Sequence, residues 1–138
     1  MKIILLTDLH ITKSSSPSNS PWVAHLCEFI NCNFGESVYI FVLGDIINCG
    51  DENAFESANH IFDHIQQQLK YIDHHFFFLP GNHDYCNGNL DAFQRFVELH
   101  QSRKAAVFDF RTRKTWSISV GEINFIATDS INDGKYNL

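Results

Sequence analysis

Three short apolar runs, Lys2–Leu6, Val38–Leu43 and His75–Leu79, set the strongest limit on how this chain can fold. Each has the length of a strand buried on both faces, and each gives way at once to polar residues or glycine. The intervals between them carry helical periodicity. In Pro21–Asn31, Val23, Leu26, Cys27 and Ile30 share a face, and in Glu52–Leu69, Phe55, Ala58, Ile61, Phe62, Ile65 and Leu69 do. Pro21 suits a first helical turn, and Asp51 is placed to cap the longer helix. A third amphipathic stretch, Asp91–His100, turns Phe93, Phe96 and Val97 to one side. The order β-α-β-α-β-α specifies an α/β fold with a parallel sheet and right-handed crossovers.

Beyond His100 the pattern changes. Ala105–Phe110, Lys114–Val120 and Asn124–Thr128 alternate in polarity and are joined by turn-forming residues, which predicts a β-meander or hairpins. Thr12–Ser20 is polar and of low complexity, a surface loop beside the end of the first strand. No repeat or linker divides the chain, so residues 1–138 are expected to form a single domain. With 138 residues, 44% of them hydrophobic, the chain has enough apolar material for one core.

The formal charge of −6, with the ten lysines and arginines scattered, leaves no basic patch for a phosphate backbone, so nucleic-acid binding is disfavoured. Cys27, Cys32, Cys49 and Cys86 have no C-x-x-C spacing, and the opening apolar run is broken by Asp8, unlike a signal peptide. No apolar stretch approaches the roughly 20 residues that cross a bilayer. The expectation is a cytoplasmic protein with reduced thiols and no membrane partner.

In a parallel sheet the loops leaving the carboxyl ends of the strands share one edge, where ligands bind. Every informative polar cluster falls in such a loop: Asp8-Leu9-His10 after the first strand, Gly44-Asp45 after the second, and Gly81-Asn82-His83-Asp84 after the third. Asp8 and His10 can both reach one cation if the chain turns there. Asp45 has two oxygens with which to bridge two cations, and Asn82 offers a neutral carbonyl oxygen. Gly44 and Gly81 permit tight turns and close approach. A mixed oxygen and imidazole set favours Mn, Fe or Zn over an all-oxygen Ca or Mg site. Two such ions would clamp a phosphate. His83 is then available to protonate a leaving oxygen or steady developing charge, with Asp84 orienting its ring.

Each motif has a plainer reading. Asp-x-His at a strand end is ordinarily a capped turn, and Gly-Asp is ordinary turn chemistry; it is their joint occurrence, in order, that points to a metal site. His60 and His64 lie four apart on a helix but lack the glutamate of a zinc protease motif, so they read as a solvated face. His74 and His75 point to opposite sides of a strand. The cysteines read as packing residues, with Cys49 and Cys86 near the site and within reach of metal or oxidant. Phe76-Phe77-Phe78 reads as core.

Asp8-x-His10, Gly44-Asp45 and Gly81-Asn82-His83-Asp84 resemble the first three motifs of the calcineurin-like metallophosphoesterase superfamily. The Thr-Asp-Leu-His opening, the Gly44–Gly50 loop and Ala127–Ser130 are most similar to the small bacterial-type phosphodiesterases of the cyclic-nucleotide class. The resemblance spans nearly the whole chain. It implies an αββα sandwich, of which this chain carries the parallel half and the start of the second sheet, and a site of two divalent ions that hydrolyses a small phosphomonoester or phosphodiester. Position by position it implies that Asp8 and His10 bind the first ion, Asp45 bridges, Asn82 binds the second, His83 assists at the phosphate, and Asp84 supports His83. The family completes its site with a Gly-His and a Gly-His-x-His motif, and no histidine follows His100 here. The remaining ligands are therefore expected from a completing C-terminal segment or from another chain in a homo-oligomer. The alternative is a non-catalytic module that binds metal or phosphate without turnover.

Overall fold

A computed structural model describes residues 1–102, 109–112 and 115–129. Its first sheet holds three parallel strands, β1 (Lys2–Leu6), β2 (Val38–Leu43) and β3 (His74–Leu79), with β2 in the middle. The register pairs Leu6 with Val42, and Leu43 with Leu79, so the three carboxyl ends lie along one edge. All three apolar runs are strands as expected, β3 beginning one residue earlier. One feature of β1 differs from the sequence reading. Among the described strands it lies at the edge of the sheet, with Ile3 39% and Leu5 64% exposed, and is not buried on both faces.

Three helices connect and follow these strands: α1 (Pro21–Asn33), α2 (Ala54–Gln68) and α3 (Asp91–His100). Their buried faces are those that the periodicity marks, Val23, Cys27 and Ile30 on α1 and Phe55, Ala58, Ile61, Phe62 and Ile65 on α2. Asp51 does not cap α2 directly. Its carboxylate accepts from the main-chain N–H of Asn53 at 3.0 Å and its carbonyl from that of Ala54 at 2.9 Å, an Asx turn that delays the helix start.

Alternate residues of β3 serve opposite faces of the sheet. Phe76 and Phe78 meet Phe62 of α2 at ring-centroid distances of 5.3 and 5.4 Å, and Phe96 of α3 reaches Phe78 at 5.0 Å. Phe77 instead stacks on Phe41 of β2 at 5.1 Å. The antiparallel hairpin β4 (Thr115–Val120) and β5 (Ile123–Thr128) packs on that second side through Phe125, 4.5 Å from Phe41. Trp116, Ile118 and Val120 point inward at alternate positions of β4. The result is an α/β arrangement of a parallel sheet with helices and an antiparallel hairpin. The expected strand Ala105–Phe110 lies mostly outside the described residues, with Phe110 itself in a turn. No described helix is long and apolar enough to cross a membrane.

Candidate metal centre

The strand ends do not simply stop. β1 and β2 separate after the pair Leu6–Val42, then pair again at a single bridge between Ile11 and Ile47. Between the two pairings the chains stay tied by main-chain bonds, from the N–H of Asp8 to the Gly44 carbonyl at 3.2 Å and from that of His10 to the Asp45 carbonyl at 3.0 Å. Ile11, Ile46 and Ile47 are buried and anchor the far side. The swollen segment takes a left-handed backbone at Asp8 (φ 55°), His10 (φ 47°), Gly44 (φ 93°) and Asp45 (φ 52°). Such conformations are rare for residues with a side chain and cluster at functional sites. Asp8 and His10, two residues apart, emerge together while Leu9 between them packs against the core.

One ligand atom each from Asp8, His10 and Asp45 lie within 4.8 Å of one another. His10 Nε2 is 3.8 Å from Asp8 Oδ1, and the Thr7 hydroxyl donates to Asp8 Oδ2 at 2.6 Å. The third loop closes over this group. A Cβ on Gly81 would collide with the main-chain nitrogen and carboxylate of Asp45, and one on Gly44 would lie 2.8 Å from Gly81 Cα, so both glycines are needed for the loops to touch. Asn82 follows, its side-chain amide 3.3 Å from both Asp45 carboxylate oxygens, to which the amide nitrogen donates two hydrogen bonds. Two carboxylates, an imidazole and an amide oxygen make a donor set that fits a divalent transition metal.

His83 lies beside this group, its ring edge-on to that of His10 with centroids 5.1 Å apart. Its main-chain N–H donates to Asp45 Oδ1 at 2.9 Å, and its Nδ1 accepts from the main-chain N–H of Cys49 at 2.9 Å. Asp84 is not the partner of the His83 ring, contrary to expectation. The short 3-10 turn Asn82–Asp84 sends its side chain inward, fully buried, where it accepts from the N–H of Gly81 at 2.8 Å and that of Ile47 at 3.1 Å. Burial pushes the Asp84 carboxyl up to about 7, the two N–H donors pull it back, and the charge of Asp45 adds to the rise. Asp84 thus fastens the third loop to the second from beneath.

Two further expectations are sorted by burial. Cys49 is exposed, whereas Cys86 is buried rather than open to metal or oxidant, and burial pushes its thiol up to about 11. Of the two histidines expected on a solvated face of α2, His60 is exposed and His64 is half-buried. The contact that spacing did not reveal is the main-chain N–H of Cys49 on His83; the only hint lies in Gly50, whose neighbourhood marks a tight turn.

A parallel α/β sheet whose strand-end loops gather carboxylate, imidazole and amide donors at one edge defines a metal-binding domain of the α/β class. The sequence profile of the calcineurin-like phosphoesterases (Metallophos) matches residues 1–137, and the chain belongs to that family. No curated protein matches the chain.

Proposed function

We propose that this chain carries the metal-dependent phosphoester hydrolysis of its family at the Asp8–His10–Asp45–Asn82 cluster. The observation that carries the reading is the meeting of Asp8, His10 and Asp45 from two strand ends, with Asn82 facing Asp45 from a third. In this reading Asp8 and His10 would hold one divalent ion, Asp45 would serve it and a second, and Asn82 would contribute to the second. When bound, Mn, Fe or Zn ions supply positive charge for the phosphoryl oxygens and acidify water. The chain's own part is to fix the donors. Asp45 is held by His83 N–H, Asp8 by the Thr7 hydroxyl, and the third loop by Asp84. The narrower likeness to cyclic-nucleotide phosphodiesterases makes a small phosphodiester the first substrate to try.

The test is Mn-stimulated release of nitrophenol from bis-p-nitrophenyl phosphate by the wild type and by Asp45→Asn. The variant is expected to lose the stimulated rate, and equal rates would end the proposal. A second reading, a module that binds metal or phosphate without turnover, is favoured by the openness of the cluster: the Asp8 and His10 side chains are 59% and 41% exposed. Among the described residues no other histidine, cysteine, aspartate or glutamate joins this group. Calorimetric binding of Mn or phosphate with no hydrolysis selects this second reading.

A further inference from the structure

We propose that the main-chain N–H of Cys49 sets the tautomer of His83, keeping the neutral ring's proton on Nε2, which makes residue 49 a positioning residue for the histidine of the proposed site. An amide N–H can only donate, so at 2.9 Å from Nδ1 it requires that nitrogen to be the acceptor. A neutral imidazole has one donor and one acceptor nitrogen, and the proton must then sit on Nε2.

The surroundings hold this arrangement in place. The N–H of His83 donates to Asp45 Oδ1 at 2.9 Å, and the N–H of Gly50 donates to the His83 carbonyl at 3.0 Å. Ring and main chain of His83 are therefore gripped by the same loop, Asp45–Gly50. The Cys49 amide faces the ring because residues 49 and 50 both adopt left-handed backbone, with φ 57° and 63°. A Cβ on Gly50 would lie 2.7 Å from the Tyr85 carbonyl, so the turn admits only glycine there. The carboxylate nearest in sequence, Asp84, is committed to the N–H groups of Gly81 and Ile47. The Cys49 thiol plays no part, since its Sγ contacts Asn48 Oδ1 at 3.2 Å.

The consequence, which rests on the function proposed above, concerns what His83 can recognise. A proton on Nε2 makes that nitrogen a hydrogen-bond donor, suited to an anionic oxygen such as that of a phosphoryl group.

The tautomer can be read without metal or substrate. In a long-range ¹H–¹⁵N spectrum of the labelled, metal-free full chain at about pH 8, where free imidazole is neutral, His83 is expected to show a pyridine-type Nδ1 and a pyrrole-type Nε2. Cys49→Gly, which keeps the N–H and suits the left-handed backbone, should preserve that pattern. An amide-to-ester replacement at residue 49 removes the donor alone and should give a mixture of both forms. A pyrrole-type Nδ1 in the wild type overturns the proposal, as does an unchanged pattern in a folded ester variant. If the ester variant does not fold, the wild-type spectrum decides by itself. Absence of phosphoesterase activity alongside the expected spectrum would count against the proposed function and leave this inference standing.

Discussion

His10 holds a left-handed backbone, φ 47°, that a residue with a Cβ adopts at a cost of about 1–2 kcal/mol. Glycine carries no such cost, so His10→Gly should be more stable than His10→Ala by about 1 kcal/mol in denaturant unfolding, while both lose the imidazole. Alanine proving the more stable of the two would show that the strain is absent. Gly81 presents the reverse case: its own backbone is relaxed, but a methyl group there would run into the main chain of Asp45. Gly81→Ala is expected to destabilise the metal-free protein by about 1–3 kcal/mol and to weaken cation binding, measured by chemical denaturation and calorimetry. Asp84→Asn exchanges an acceptor for a donor opposite the N–H groups of Gly81 and Ile47, and should cost about 1–3 kcal/mol. Spacing identified Asp84 as a neighbour of His83. The direction in which a 3-10 turn sends each side chain is set by backbone angles, which motif spacing does not encode.

At the scale of the elements, apolar residues located the three α-helices and the three parallel strands, but not the 3-10 turns Pro17–Asn19 and Asn82–Asp84, which carry no apolar face to mark them. Phe62 and Leu99 mark the two extremes. Phe62 is enclosed by Phe76, Phe78 and Phe96, and Leu99 is 68% exposed. Phe62→Ala should cost about 3–5 kcal/mol and Leu99→Ala less than about 0.5 kcal/mol, compared by thermal unfolding. The same periodicity carries one step further to His100, four residues after Phe96, which closes the inward stripe of α3. It packs against Phe96 and Phe62, and its Nε2 lies 2.9 Å from Asn59 Oδ1. Burial holds its pKa below the ordinary histidine value, and Asp63, 4.0 Å from Nδ1, offsets this only in part. The unfolded chain therefore takes up a proton at higher pH than the folded one. Stability from this group is complete above about pH 6.5 and is lost as pH falls through that value. Unfolding free energies of wild type and His100→Gln, measured at steps across this range, should converge toward low pH; a constant difference would contradict the assignment.

At the scale of the whole molecule, the parallel register brings three separate loops to one edge, and that much follows from the order of elements in the sequence. What did not follow is the position of β1. A run of Ile and Leu reads as doubly buried, yet β1 pairs only with β2 among the described strands and leaves Ile3 and Leu5 exposed. Strand order is decided by long-range pairing, which local hydrophobicity does not report. The swelling between the two β1–β2 pairings was foreshadowed only as a turn at Asp8 and His10, residue types that enter the left-handed region more readily than most; the renewed pairing of Ile11 with Ile47 is long-range and has no local signal. Asp8, His10 and Asp45 meet across that swelling, and the functional reading depends on their meeting.

The most direct test of that convergence is thermal unfolding of wild type and Asp45→Asn with and without Mn. A cation that binds only the folded chain stabilises it by about 2.7 kcal/mol at a hundredfold excess over Kd. The wild type is predicted to unfold at a clearly higher temperature with Mn, and Asp45→Asn at nearly the same temperature in both conditions. Equal responses of the two proteins would contradict a shared cation site built from these loops.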